Sequence, residues 1–445
     1  MKRAISTRLA GLAGALALLS VAVVLTLTAP VRAMEIQRVV SPGGIEAWLV
    51  EEHTVPLVAL NFAFRGGSSQ DPADKPGVAE LLSSLLDEGA GDLDSKTFQE
   101  RMQDQAVKLS FSARRDAFTG SMRTLAANLD EAVELLRLAV NEPRFDEEPV
   151  ARMKAQLVAR LRGEEKDPES IAFKKWYAAA FPNHPYGRSA SGTVETMSAI
   201  TIEDVRALRK RMFVRKDMKV AVVGAIDAKT LAPLLDTLFG ALPAEGDLEP
   251  IADVAPVTGT RVVEPMDVPQ TVIRFGTTGL KRNDPDFMPA YVMNHILGGG
   301  TFSSRLYNEV REKRGLAYSI YTFLAPYDHA GIFLGGTATR ADRADETLRL
   351  IEEEIARMAK DGPTADELAK AKSYLIGSYP LQFDTSTKIA SALINMQLDD
   401  LGIDYMDTRT AKIEAITLDD VKKVAKRLLD NGGLTIAIVG KANAS

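Results

Sequence analysis

The sequence predicts an α+β protein of two tandem homologous units, each a mostly antiparallel sheet with helices packed on one face. Three observations carry this. First, "ITIEDVRALRKRMFVRKDMKVAVVGAID" from Ile200 and "ITLDDVKKVAKRLLDNGGLTIAIVGKAN" from Ile416 run in register without a gap as far as Gly224 and Gly440. Such self-similarity marks an internal repeat. Second, the stretches from Ala79 and from Ala290 follow one order: helix, Gly-rich break, short helix, two strands, long helix. Runs of neighbouring strands followed by helices are the α+β pattern. Third, "LPAEGDLEPIADVAPVTGT" (Leu242 to Thr260) is rich in Pro, Gly and acids and has no periodicity, as a linker would be.

The elements follow in chain order. Residues 1–33 begin with Lys2, Arg3 and Arg8, continue as an apolar run and end at small Ala33. That is the layout of a secretory signal cleaved after Ala33, with a periplasmic or secreted location for the rest. The run is also long enough for an uncleaved membrane anchor, the competing reading. The first unit then spans 34–242, with strand-like "PLVALNFAFRGGS" and an amphipathic helix in "GVAELLSSLLDEGAGD" (Gly77 to Asp92). Long helices are expected from about Asn128 and Asp345. Thr201 and Thr417 read as N-caps, each with acids in the following turn. The linker occupies 243–260 and the second unit 261–445.

Composition narrows the chemistry. The net charge is -6 and no basic block stands out, so nucleic acid is not an expected partner. With no Cys, disulfides, thiolate metal sites and Cys nucleophiles are excluded. The four His are His53, His184, His295 and His329. None has a second His close enough to share a helix face, and none has a Glu in the H-x-x-E-H register, so a zinc-activated water cannot be built locally. No G-x-S-x-G pentapeptide supports a Ser hydrolase. A hard-cation site from Glu80, Asp87 and Glu88 would need their oxygens to converge.

"GVAELLSS" and the order of the duplicated elements, over roughly Gln37 to Lys441, resemble the insulinase/pitrilysin-type metallopeptidases, the inverted zinc-motif family. There the first unit reads G-x-A-H-x-x-E-H. In this chain Glu80 and Ser84 stand at the two His positions and Ser83 at the base position. The distal ligand position falls near Arg160, where a cation opposes a metal. The resemblance therefore implies no metal site in this chain, with zinc held by a homologous partner chain that carries H-x-x-E-H. It further implies a clamshell-like arrangement with that partner, extended peptides as substrates, and contact with a membrane only if the N-terminal segment stays uncleaved.

"LGGGTFSSRLYNEVREKRGLAYSIYT" (Leu297 to Thr322) is the informative stretch of the second unit. Gly298, Gly299 and Gly300 would give a flexible turn able to approach another chain. A short helix should follow with Leu306, Tyr307 and Val310 inward, stopped at Gly315. Alternation then puts Leu316, Tyr318, Ile320 and Thr322 on one strand face. The family resemblance implies that Arg311 and Tyr318 contact the substrate carbonyl, and a guanidinium and a phenol can both donate to an oxyanion. The resemblance thus implies the zinc-free subunit of a heterodimeric zinc peptidase, inactive alone. The alternative is a non-catalytic peptide-binding or scaffold protein on the same fold.

Overall fold

A computed structural model describes residues 34–441; the signal or anchor at 1–33 lies outside the described residues. Sheet one contains β1 (Gln37–Val40), β2 (Glu46–Glu51), β3 (Leu57–Arg65), β4 (Lys108–Ala113), β5 (Ala117–Leu125) and β6 (Lys219–Gly224), in the order β1-β2-β6-β3-β5-β4. Sheet two contains β7 (Arg261–Pro265), β8 (Gln270–Thr278), β9 (Ala317–Pro326), β10 (Gly331–Arg340) and β11 (Thr435–Gly440), in the order β7-β11-β8-β10-β9. All pairings are antiparallel except β2 with β6 and β7 with β11. The repeat is therefore structural. The duplicated segments form helix Ile202–Met212 with β6, and helix Leu418–Leu429 with β11.

Both repeat helices start with a reciprocal cap. Thr201 accepts from the Asp204 N–H while Asp204 accepts from the Thr201 N–H, and Thr417 and Asp420 do the same. Two N–H groups that the helix leaves orphaned are satisfied at each start. The long helices begin at Leu129 and Ala344, beside the expected positions.

Each sheet packs helices of its own half on one face and a helix from the other half on the second. Helix Pro168–Ala180 lies on β8 and β11, and helix Ser386–Leu398 lies on β3 and β6. Trp176 is fully buried and donates its Nε1–H to the Thr435 carbonyl at 2.9 Å. In the opposite sense, Gln397 donates to the Val220 carbonyl at 3.0 Å. This exchange explains why β3 and β8 are buried along nearly their whole length rather than on alternate residues. A junction core gathers Trp176, Tyr177, Phe181 and Tyr186 of the first half with Ile332, Leu334 and Ala437 of the second. The 243–260 segment carries no helix or strand and is fastened along this junction, with the Val257 N–H donating to Ala180 at 2.8 Å.

Candidate functional site: a closed ligand position and an Arg/Tyr pair beside an edge strand

Helix Val78–Ser83 is the segment that the family resemblance aligns with a metal-binding helix. It is shorter than the Gly77 to Leu86 segment suggested, although Leu81, Leu82, Leu85 and Leu86 are all buried. The cause lies in the two serines. Ser83 Oγ donates to the Glu80 carbonyl and Ser84 Oγ to the Leu81 carbonyl, each at 2.8 Å. Hydroxyls that bond back to the helix in this way compete with the backbone ladder. They also leave neither serine aimed at a substrate.

The remaining two positions meet. Arg160, on helix Glu147–Glu164, places Nη2 2.7 Å from Glu80 Oε1. Its Nε lies 3.6 Å from Glu164, which in turn pairs with Lys174 at 2.8 Å. The carboxylate set considered from sequence does not converge either. Glu88 is bound by Arg152 at 2.6 Å, Glu80 is held by Arg160, and among the described residues no three His, Asp or Glu side chains are placed to share a metal ion. A guanidinium where a metal would sit, held by the one carboxylate able to ligate it, does not fit a zinc ion.

The second half offers its polar groups outward. Helix Phe287–Asn294 runs on through His295–Gly299 with a wide final turn, the Gly300 N–H reaching the His295 carbonyl at 2.8 Å. The three glycines thus close a helix against β9 rather than forming an open loop. A Cβ on Gly298 would lie 2.4 Å from Thr322 Oγ1, one on Gly299 2.5 Å from Asn294 Nδ2, and one on Gly300 2.6 Å from the His295 carbonyl. Gly298 is buried and Gly299 reaches the surface. Phe302, just beyond, is 71% exposed.

Leu306, Tyr307 and Val310 point inward as expected, and Gly315 stops the helix with φ +59. The strand departs from simple alternation. Ala317 pairs with Thr339 and Ile320 with Thr337, so Tyr318 and Ser319 together face the single residue Ala338. Such a β-bulge re-aims a side chain. Ile320 and Thr322 stay buried while Tyr318 turns out to 81% exposure, correcting the placement of Tyr318 on their face. The Arg311 guanidinium lies 4.8 Å from the Tyr307 ring centre and 5.0 Å from that of Tyr318. These are cation–π distances that hold the planar group between two rings. Nearby Glu309 is engaged by Lys313 and Arg314, and Arg311 has no carboxylate partner among the described residues. The structure therefore brings Arg311, on the helical turn Tyr307–Glu312, beside Tyr318 on edge strand β9, with donors free among the described residues.

The histidines have local duties. His184 accepts from the Tyr186 N–H at 3.1 Å, and His295 stacks on Tyr374 with ring centres 5.0 Å apart. Arg115, Arg188 and Arg274 were not singled out from sequence, because they are far apart in the chain and share no spacing. The fold places all three on one cavity.

The two halves and their sites define a peptidase-type pair of units with a closed metal position. Residues 47–194 match the family model described as insulinase (peptidase family M16), and residues 199–375 match the peptidase M16 inactive domain. The non-peptidase homolog YmxG of Helicobacter pylori is 26% identical, over 87% of this chain and 90% of that protein. An uncharacterized zinc protease of Streptomyces coelicolor is also 26% identical, over 88% and 87%. The crystal structure of a peptidase M16 inactive domain from Pseudomonas fluorescens superposes with a TM-score of 0.87 at 27% identity, covering 93% of this chain and 99% of that one. The chain belongs to the M16 insulinase family.

Proposed function

We propose that this chain is the zinc-free subunit of a heterodimeric zinc peptidase. A homologous H-x-x-E-H chain carries the metal, and the two enclose the substrate as a clamshell. This chain helps bind extended peptides, through the surface at Gly299 and Gly300 and the β9 edge, with buried Gly298 packed behind them, and offers Arg311 and Tyr318 to the oxyanion. The observation that carries the reading is the contrast between its two halves. The ligand position is filled by the Glu80–Arg160 ion pair, whereas a half-buried Arg311 and an exposed Tyr318 are held together without acceptors among the described residues. A scaffold has no use for two such donors. The N-terminal segment supports a periplasmic or secreted location.

The test is zinc-dependent cleavage of unstructured peptides by this chain, by an H-x-x-E-H homologue from the same genome, and by their mixture. Activity is expected only in the mixture. Arg311→Ala or Tyr318→Phe should lower kcat about 10²–10³-fold, the effect of removing one oxyanion donor. Activity of this chain alone, or full activity of a mixture carrying both substitutions, would overturn the proposal. Peptide binding without any association between the chains would favour the scaffold alternative.

A further inference from the structure

A cavity of about 350 Å³ opens between helix Pro168–Ala180 and the loop at Arg188 to Ser191, with Arg274 of β8 at its base. Arg115, Lys174, Arg188 and Arg274 line it, facing Glu164, Asp167 and Glu169. The carboxylates are mostly committed elsewhere. Glu164 is bound to Lys174 and Arg160, and Asp167 accepts from the Ser170 N–H and hydroxyl as the helix cap.

The arginines are less well matched. Arg115 stacks on Tyr177 at 4.1 Å and donates to the Tyr186 carbonyl. Arg188 donates to the carbonyls of Asp71 and Ser69. Neither has a carboxylate within ion-pair distance among the described residues. Arg274 is only 8% exposed and its Nε has no acceptor. Among the described residues its one carboxylate contact is Glu169 at 3.3 Å, a side chain that is itself 63% exposed. A buried guanidinium with an unmet donor is expensive unless an acceptor arrives.

The cavity also communicates with the edge strand. Arg274 and Tyr321 both stand opposite Gly336, and a Cβ there would fall 2.0 Å from Arg274 Nη1. The bare glycine lets Arg274 cross the sheet to hydrogen-bond the Tyr321 hydroxyl. Tyr321 lies on β9, the strand that carries Tyr318.

We propose that this cavity receives the C-terminal carboxylate of a bound peptide, held by Arg115, Arg188 and Arg274. The inference rests on the reading of the chain as a peptide-binding subunit and gives that subunit a preference for free chain ends. Four cations against three carboxylates leave one positive charge, which suits a monoanion better than a phosphate dianion. Arginine forks match carboxylate geometry.

The experiment compares an unstructured decapeptide, labelled at its N-terminus, as free acid and as C-terminal amide. Binding to the full chain is followed by fluorescence anisotropy, with inorganic phosphate and free acetate as competitors. The acid should bind about tenfold more tightly than the amide. Arg115→Gln and Arg188→Gln should each bring the acid down towards the amide, with an unchanged melting midpoint showing that the variants fold. Equal affinity of acid and amide, or a preference that survives both substitutions, overturns the carboxylate site and leaves the peptide-binding reading standing. Loss of the preference with millimolar phosphate or acetate alone would show a general anion site and overturn the peptide assignment. If neither peptide binds, the peptide-binding reading falls and the carboxylate site with it.

Discussion

At the residue scale, the Glu80–Arg160 pair closes the position where the family resemblance would place a metal ion. Glu80 could still ligate a cation, but Arg160 takes it first, 2.7 Å away. Arg160 is close to half exposed, and pairs of that kind contribute about 0–1 kcal/mol. Glu80→Ala should therefore cost no more than about 1 kcal/mol in denaturant unfolding, and a larger loss would make the pair structural. A second expectation concerns rebuilding. Glu80→His, Ser83→Glu and Ser84→His together supply two ligands and a base, yet the guanidinium still opposes a dication. Adding Arg160→Glu should raise zinc affinity by at least about tenfold in a chelator-competition titration, since one repulsive charge becomes a ligand. No gain from the fourth change would show that Arg160 does not mark the distal ligand position. These positions were legible through the family resemblance, which aligns Glu80, Ser83 and Ser84 with the inverted zinc motif and sets the distal ligand near Arg160. The outward turn of Tyr318 was not, because a bulge depends on how β9 pairs with β10, and no residue of "LAYSIYT" announces an extra unpaired position.

At the element scale, the short helix Val78–Ser83 begins on a carboxylate from outside itself. Asp71 is buried and accepts from the N–H groups of Gly77 and Ala79 at 2.7 and 2.8 Å. Burial pushes its carboxyl up to about 7, outweighing those donors and the nearby Arg188. The folded state thus holds the proton more tightly than an unfolded chain, whose Asp titrates near about 3.9. The resulting stabilisation is complete below about pH 4 and is lost as pH rises through about 7. Asp87 and Asp399, pushed up to about 6 by burial, add the same trend. The informative measurement is the difference between wild type and Asp71→Asn in urea midpoints from pH 4 to pH 8. The variant should show a flatter profile, and parallel profiles would remove Asp71 as the cause. The Thr201 and Thr417 caps were readable, since a cap needs only local residues. Asp71 was not, because it lies outside the helix it caps and its burial comes from the tertiary fold.

At the scale of the whole molecule, the repeat predicts two units, and the structure adds that neither is complete alone. Periodicity shows which helices are amphipathic but not which sheet they cover, so the exchange of helices Pro168–Ala180 and Ser386–Leu398 left no mark in sequence. Its consequence is physical. Without Ser386–Leu398, β3 and β6 would expose an apolar face to water. Without Pro168–Ala180, β8 and β11 would do the same, and Trp176 would leave its seat on Thr435. Removing a buried Trp side chain typically costs about 3–5 kcal/mol, a large part of the roughly 5–15 kcal/mol that a domain has. Trp176→Ala should therefore lower the melting midpoint of the entire chain in one transition, not of the first half alone. Cutting the backbone inside Pro243–Thr260 tests the same dependence more severely. Expressed separately, each half should lack a cooperative melt and bind a hydrophobic dye; mixed, the two should recover one transition. A half that melts cooperatively by itself near the midpoint of the intact chain would show that the borrowed helix is dispensable, and the two sheets would then have to be treated as independent folding units.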